Sequence, residues 1–347
     1  MRVLVAMSGG VDSSVAAALL QREGHEVVGV TMRLWGGDSD TGCCSVADVD
    51  DARRVAQQLG IDHLVFNFTD DFDARVVAPY VHDHAAGRTP NPCVECNRHL
   101  KFARLTERAD LLGFDAVATG HHARIVRAGD EWRIARGADA AKDQSYVVHM
   151  LDQAALARTL FPVGDRTKAE VRALAADLCL RTADKPDSQD VCFITAKGRA
   201  AFLGARIPLR AAVVVDADGA PMGAVDAVEL VTVGQRRGIE GTGGSGDRRY
   251  VVDVDVAGAR VTLGHADDLL VGETAVHTPT WSAAPAVGPV LVQTSAHGAT
   301  AHATAAAATD GRLALRWHAR HRRVAPGQSV VLYDATDTYV LGGGIAS

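Results

Sequence analysis

The chain of 347 residues is 47% hydrophobic and 22% charged, with six cysteines and a formal net charge of −6 at pH 7. This is ordinary globular composition, too long for one compact domain and sufficient for two or three. No apolar run approaches the ~20 residues of a membrane span, and no signal-like segment precedes the first strand, so a soluble, cytoplasmic protein with reduced cysteines and no membrane partner is expected.

Residues 2–7 read as a buried strand and about 13–23 as a helix closed by Gly24. Between them lies Ala6-Met7-Ser8-Gly9-Gly10-Val11-Asp12-Ser13-Ser14. Strand, glycine turn and helix make an anion site. Gly9 and Gly10 bring no Cβ, so successive N–H groups converge on an oxyanion at the positive end of the helix, where Ser13 and Ser14 add hydroxyl donors. The first lysine is Lys101, so this is not a phosphate loop built on an obligatory lysine. The stretch S-G-G-x-D-S resembles instead the PP-loop of ATP pyrophosphatases, which split ATP between the α and β phosphates and adenylate a substrate. Asp12, a carboxylate beside a phosphate nest, makes best sense with a magnesium ion between them, so ATP and Mg2+ are expected, with no dedicated protein metal site.

Further strands are expected at 26–32 and 61–68, with helices at 46–59, opened by Ser45 and Asp48, and at 71–85. Alternation of strands and helices implies a parallel sheet whose ligands sit at the carboxyl ends of the strands. That brings Met32 and, after a strand at 115–120, Gly120 beside the nucleotide. Two prolines make 87–96 an irregular loop, with a helix from about Asn97. Cys93 and Cys96 form a C-x-x-C, open to reading as half a zinc site or a redox pair, while Cys96, just ahead of the helix, is the better nucleophile. His121 and His122, a hairpin around Gly129-Asp130, and Lys142-Asp143-Gln144-Ser145-Tyr146 follow. Thr167 and Glu170 cap another helix. Cys192, between a polar loop and an apolar stretch, suits an accessible thiol; Cys179 looks like buried packing, and no spacing dictates a role for Cys43 or Cys44.

Beyond about residue 205 the pattern turns to β, with strands at 211–215, 228–233, 250–256, 288–294, 312–319 and 328–333 and an ambiguous alanine run at 303–308. Period two places Arg312, Arg316, His318, Arg320 and Arg322 on one face of a strand and Leu313, Leu315, Trp317 and Ala319 on the other. Such a stripe favours phosphate contact, although an edge strand carries charge too; a mildly acidic chain neither advertises nor excludes a nucleic-acid partner. The expected architecture is an α/β PP-loop domain with a Rossmann-like parallel sheet (1–204), a small β-rich central domain (205–274) and a C-terminal β-barrel (275–347), for which the family resemblance described next implies tRNA binding.

Taken together the motifs resemble the tRNA-specific 2-thiouridylases, which put sulfur on the wobble uridine of certain tRNAs. They are the PP-loop, T-P-N-P-C-x-x-C-N at 89–97, T-G-H-x-A-R at 119–124, K-D-Q-S-Y at 142–146, C-F-I at Cys192, G-Q-R-R-G-I at 234–239, A-P-G-Q at 325–328 and L-G-G-G-I at 341–345. The resemblance implies that Cys192 receives sulfur as a persulfide and that Cys96 is its catalytic partner. It implies ATP at Ala6, Met7, Ser8, Gly9, Gly10, Val11, Asp12, Ser13, Met32 and Gly120, adenylating the C2 oxygen of uridine 34. It places Asn91, Pro92 and Cys93 at the target base and His121, Lys142, Asp143, Gln144 and Gln328 on tRNA. The implied partners are tRNAs for lysine, glutamate and glutamine and a cysteine desulfurase or sulfur-relay protein. Many family members carry aspartate where this chain has Cys93, which leaves the general base open and raises an iron–sulfur cluster on Cys93, Cys96 and Cys192 as an alternative. Transfer directly from the persulfide and transfer through sulfide released by Cys96 both fit. The competing readings are another adenylating PP-loop enzyme and a nucleotide-regulated RNA-binding protein with a zinc-stabilised loop.

Overall fold

Val3, Leu4 and Val5 have no solvent exposure, as a strand covered on both faces requires. The computed structural model describes residues 1–35, 46–187, 191–194, 198–239, 248–308 and 311–347. In it β1 (Arg2–Ala6) is the central strand of a parallel sheet with β2 (Glu26–Arg33), β3 (Asp62–Asn67) and β4 (Ala116–Thr119). A hairpin, β5 (Ala123–Ala128) and β6 (Glu131–Arg136), leaves this sheet, and the short β7 (Thr159–Leu160) rejoins it in the order β3-β2-β1-β4-β7. Helices α1 (Val11–Arg22), α2 (Val46–Leu59), α3 (69–85), α4 (92–111), α5 (Lys168–Asp177) and α6 (Gly198–Gly204) accompany it. Alternation along β1 divides the core: Leu4 packs with Phe72, Leu100 and Phe193 on one face, and Val3 and Val5 with Val15, Ala52 and Val171 on the other. This is the expected Rossmann-like layering.

One difference matters for the site. The stretch expected to be irregular up to Asn97 is helical from Pro92, because Asn91 Oδ1 accepts the N–H of Cys93 (3.1 Å) and of Val94 (3.4 Å), and proline fits the first helical position, where no N–H is needed. Cys93 and Cys96 therefore ride on the first turns of α4, whose next segment, Asn97–Arg104, widens into π-helical turns. Cys179 is also corrected: it is exposed, in a left-handed conformation (φ 52°) where α5 has ended. Ser45, Cys43 and Cys44 lie outside the described residues.

A four-stranded central sheet follows, β8 (Ala212–Val215), β9 (Pro221–Val225), β10 (Tyr250–Asp255) and β11 (Arg260–Gly264), in the order β10-β11-β8-β9. The strand expected at 228–233 is instead a short 3-10 turn, Val228–Leu230, in which buried Glu229 accepts from Arg210 N (3.0 Å) and Nε (2.9 Å). Finally β12 (Leu270–Trp281), β13 (Gly288–Gln293), β14 (Ala301–Ala307), β15 (Leu313–Arg322), β16 (Ser329–Tyr333) and β17 (Tyr339–Ala346) close into an antiparallel barrel, β12-β15-β14-β13-β16-β17 and back to β12. The alanine run is thus a strand. The glycines of L-G-G-G-I are packing positions: a Cβ on Gly343 would come 2.5 Å from Val330 O and one on Gly344 2.6 Å from Val276 Cγ1. On β15, Leu313, Leu315 and Trp317 are buried while Arg316, His318, Arg320 and Arg322 are exposed. The β5–β6 hairpin joins the barrel sheet through β6 and β17, with Tyr339 opposite Ala135 and Val340 opposite Ile134.

Candidate active site

The nucleotide loop is built at the carboxyl end of β1. Met7 N donates to Val30 O (2.8 Å) and Thr31 Oγ1 to Met7 O (2.9 Å), fixing the exit of the chain from the sheet. Gly9 has φ +73° and a Cβ there would overlap the Asp48 carbonyl of α2, so glycine is required twice over. Gly10 is the extended N-cap of α1 and no side chain caps that end, which leaves first-turn N–H groups for an anionic ligand. The serine hydroxyls face inward: Ser13 Oγ and Ser14 Oγ donate to Gly10 O at 3.1 and 2.8 Å, and Ser13 Oγ accepts from Ser8 N at 3.2 Å. They brace the loop. Gly120 closes against it from β4; a Cβ there would lie 2.6 Å from Ser13 N.

Asp12 projects from the first turn of α1 into a chain of charges. Lys168 Nζ lies 2.7 Å from both its oxygens and His122 Nε2 3.1 Å from Oδ1. Burial pushes the Asp12 carboxyl up, but the hydrogen bonds from His122 and Lys168 outweigh it and hold the pKa below the ordinary 3.8. Lys168 also meets Asp187 at 2.8 Å, and Asp187 takes Lys142 Nζ (2.8 Å) and Arg172 Nη2 (2.9 Å) as well. Burial again acts upward on Asp187, and hydrogen bonds from Lys142 and Lys168 bring it down to about 2. Lys185 bridges Asp48 (2.6 Å) and Asp51 (2.7 Å) of α2. The His122 ring is 3% exposed and its Nδ1 is buried without a partner.

The two implied sulfur-handling thiols border one apolar cluster. Cys96, 7% exposed, belongs to the core that also holds Ala6 and Met32 from the ends of β1 and β2, and Cys192 packs against that same core. Its neighbour Phe193 is the anchor, with ring centroids 5.6 Å from Phe72, 5.4 Å from Tyr80 and 5.1 Å from Phe202. Cys93 is exposed. Among the described residues no group of three or more His, Cys, Asp or Glu side chains is arranged to hold a metal ion.

The residues placed on tRNA by resemblance fall into two sets. Asn91 caps α4, with Cys93 exposed beside it and Pro92 buried. The others are engaged within the protein. His121 is buried between Phe102 and Phe161 with Nδ1 2.7 Å from Thr119 Oγ1; burial, with Lys101 and His122 adding to it, holds its pKa well below the usual histidine value. Asp143 accepts from Arg136 (2.8 Å), Gly137 N (2.8 Å) and Ser145 Oγ (2.7 Å). Gln144 Oε1 accepts the N–H of His122 (2.8 Å), Lys142 holds Asp187, and Gln328 Nε2 donates to Thr89 O (2.6 Å).

Lys168 and Asp187 are site residues that sequence reasoning passed over, the first as part of a helix start and the second as loop. A signal was present. Only five of the 36 Lys and Arg residues are lysine, and three of those, Lys142, Lys168 and Lys185, bind carboxylates around the nucleotide loop. An ammonium is a compact point charge with three rotatable donors, enough to serve two carboxylates at once.

Residues 1–196 match the family model described as tRNA methyl transferase HUP domain, and 271–346 match the aminomethyltransferase beta-barrel domain. The chain is 48% identical over 343 residues to a tRNA-specific 2-thiouridylase MnmA of Mycolicibacterium smegmatis, covering 96% of this chain and 95% of the relative. Proteins of the same description from Mycobacteroides abscessus (45% identical, 99% of each chain) and Mycobacterium tuberculosis (47%, 99% of this chain and 95% of the relative) are similar along their whole length.

Proposed function

The chain belongs to the tRNA-specific 2-thiouridylases, tRNA sulfurtransferases, and from that premise we propose that Cys192 carries the sulfur, Cys96 completes its transfer, and the loop at 6–13 with Met32 and Gly120 holds ATP. One observation carries this reading: Cys96 and Cys192, far apart in the chain, pack on the same core as the strand ends that flank the nucleotide loop. Bound ATP supplies the adenylyl group that makes the C2 oxygen of uridine a leaving group, with pyrophosphate released first and AMP second. Uncapped N–H groups of α1 fit its phosphates, and Asp12, neutralised in this structure by Lys168, is the carboxylate that would hold a phosphate-bound Mg2+ in exchange for that contact.

The thiols then divide the work. The outer sulfur of a Cys192 persulfide bonds to C2 as AMP leaves, and the Cys96 thiolate attacks the inner sulfur, freeing 2-thiouridine and forming a Cys96–Cys192 disulfide that a thiol reductant reopens. In the alternative order Cys96 attacks first and the released sulfide bonds to C2; both end at the same disulfide. Asn91 and Cys93, at the exposed start of α4, face the flipped base, and the arginines of β15 are phosphate contacts of a barrel (275–347) that serves the 1–204 domain. A cysteine desulfurase or relay protein supplies the sulfur, and tRNAs for lysine, glutamate and glutamine are the acceptors.

The test is ATP-dependent transfer of radiolabelled sulfur from cysteine and a desulfurase into unmodified tRNA, with Cys96→Ser and Cys192→Ser alongside wild type. Label at the wobble uridine in wild type and in neither variant supports both roles. Full label with either serine variant removes that thiol from the mechanism.

A further inference from the structure

The turn 326–328 of the barrel grips the chain just ahead of Cys96. Thr89 N donates to Pro326 O (2.7 Å), and Gln328 Nε2 donates back to Thr89 O (2.6 Å), so both backbone polar groups of one residue are taken by one turn. Between these bonds sits Gly327, at φ +90°, where a Cβ would lie 3.0 Å from Thr89 N. Thr89 Oγ1 meets Thr232 Oγ1 of the central domain at 3.1 Å, and Gly87 leaves no room for a Cβ against Val256. Two residues on, Asn91 caps the helix turn that carries Cys96. At its other end Asn97 Nδ2 donates to Val147 O (2.8 Å).

We propose that Gln328 is a positioning residue for sulfur transfer: with Pro326 and Gly327 it clamps Thr89 and so sets where α4 presents Cys96. The inference rests on the role of Cys96 given above. The amide of Gln328 is spent on a main-chain carbonyl and acts through Thr89 and Asn91. A displacement of about 1 Å at a reacting group costs on the order of 100-fold in rate, so a slackened clamp reduces transfer far more than it reduces tRNA binding.

Two variants test this. Gln328→Met keeps the side-chain volume and removes the donor; Gly327→Ala adds a methyl group against Thr89 at a position with no side chain to touch RNA. In full-length protein we expect each to lower the single-turnover rate of thiolation at saturating tRNA by about tenfold or more, to leave tRNA affinity within about twofold, and to raise the rate of Cys96 alkylation by iodoacetamide, read by mass spectrometry without tRNA or ATP. A Gln328→Met protein that binds tRNA weakly yet reacts at the wild-type rate once saturated overturns the proposal in favour of direct RNA contact. Unchanged Cys96 alkylation in both variants overturns it as well. If Gly327→Ala does not fold, as its melting curve will show, Gln328→Met decides alone. Alkylation reads the position of Cys96 whatever its chemistry, so failure of the clamp and failure of the Cys96 role, read from Cys96→Ser, are separate results.

Discussion

The nucleotide loop and the cysteine-bearing segments solve the same problem, holding reactive groups at the end of a sheet, in opposite ways. Ser8, Gly10, Ser13 and Ser14 bond to one another within a single turn of chain, so the loop is largely its own scaffold. The thiol segments borrow theirs: Thr89 is held by Gln328, 239 positions away, and Phe193 by rings from α3 and α6. A self-braced loop suits a ligand that must bind before anything else happens. A borrowed scaffold lets other elements, one of them in the barrel, determine where Cys96 and Cys192 sit.

The sharpest way to break this contrast is Gly9→Val. Because φ is +73° and the Asp48 carbonyl blocks a Cβ, we expect no measurable ATP binding by calorimetry and thiolation down by more than about 100-fold, at a strain cost of about 1–3 kcal/mol; ATP binding at wild-type affinity would show that the conformation of this turn does not hold the nucleotide. Next in size, Phe193→Ala should cost about 3–5 kcal/mol in chemical denaturation and expose Cys192 to alkylation while leaving ATP affinity alone. Asn91→Ala should cost about 1 kcal/mol as a lost cap, with a fall in thiolation larger than that loss of stability explains. The smallest effect concerns Asp187. Its carboxyl, at about 2 against 3.8, contributes stability that is present above about pH 4 and lost as pH falls toward 2. The denaturation midpoints of wild type and Asp187→Asn should therefore differ by a constant amount, about 1 kcal/mol or less, from neutrality down to pH 4 and converge below it; a gap that widens in acid would remove the Asp187 bridge from the account.

What could be read from the chain follows the same division. The PP-loop was legible because glycine, aspartate and serine act on their own neighbours. Local patterning also announced β1 to β4, the capping box of Thr167 and Glu170, and Leu313, Leu315 and Trp317 as the buried face of β15; Ala319, expected with them, is exposed where the pairing with β12 shifts register. The helix start at Pro92 was misread because two prolines look like a loop until Asn91 is seen as a cap. Strand β17 was hidden by three glycines, which signal a turn in sequence but here admit Thr280, Val330 and Val276 to close approach. Lys168 could not be paired with Asp12 from spacing, since their meeting depends on how α5 packs against α1, and Asp187 returns to Lys168 only through the irregular chain that follows α5. Gln328 was placed on RNA by resemblance, and only the fold shows its amide turned to Thr89.

The β5–β6 hairpin carries a consequence for how this gene can be cut. It lies early in the chain, yet β6 is hydrogen-bonded to β17, almost the last residues of the protein. Arg136, at its end, reaches Asp337 (2.6 Å) and stacks 3.7 Å from the centre of the Tyr333 ring. A fragment stopping near residue 204 would keep the hairpin and lose its partner, leaving an apolar strand edge open to other chains. The barrel expressed alone would lack the strand that pairs with Tyr339 and Val340 at the start of β17. A chimera that swaps barrels between relatives is therefore expected to need residues 123–136 from the same parent as the barrel.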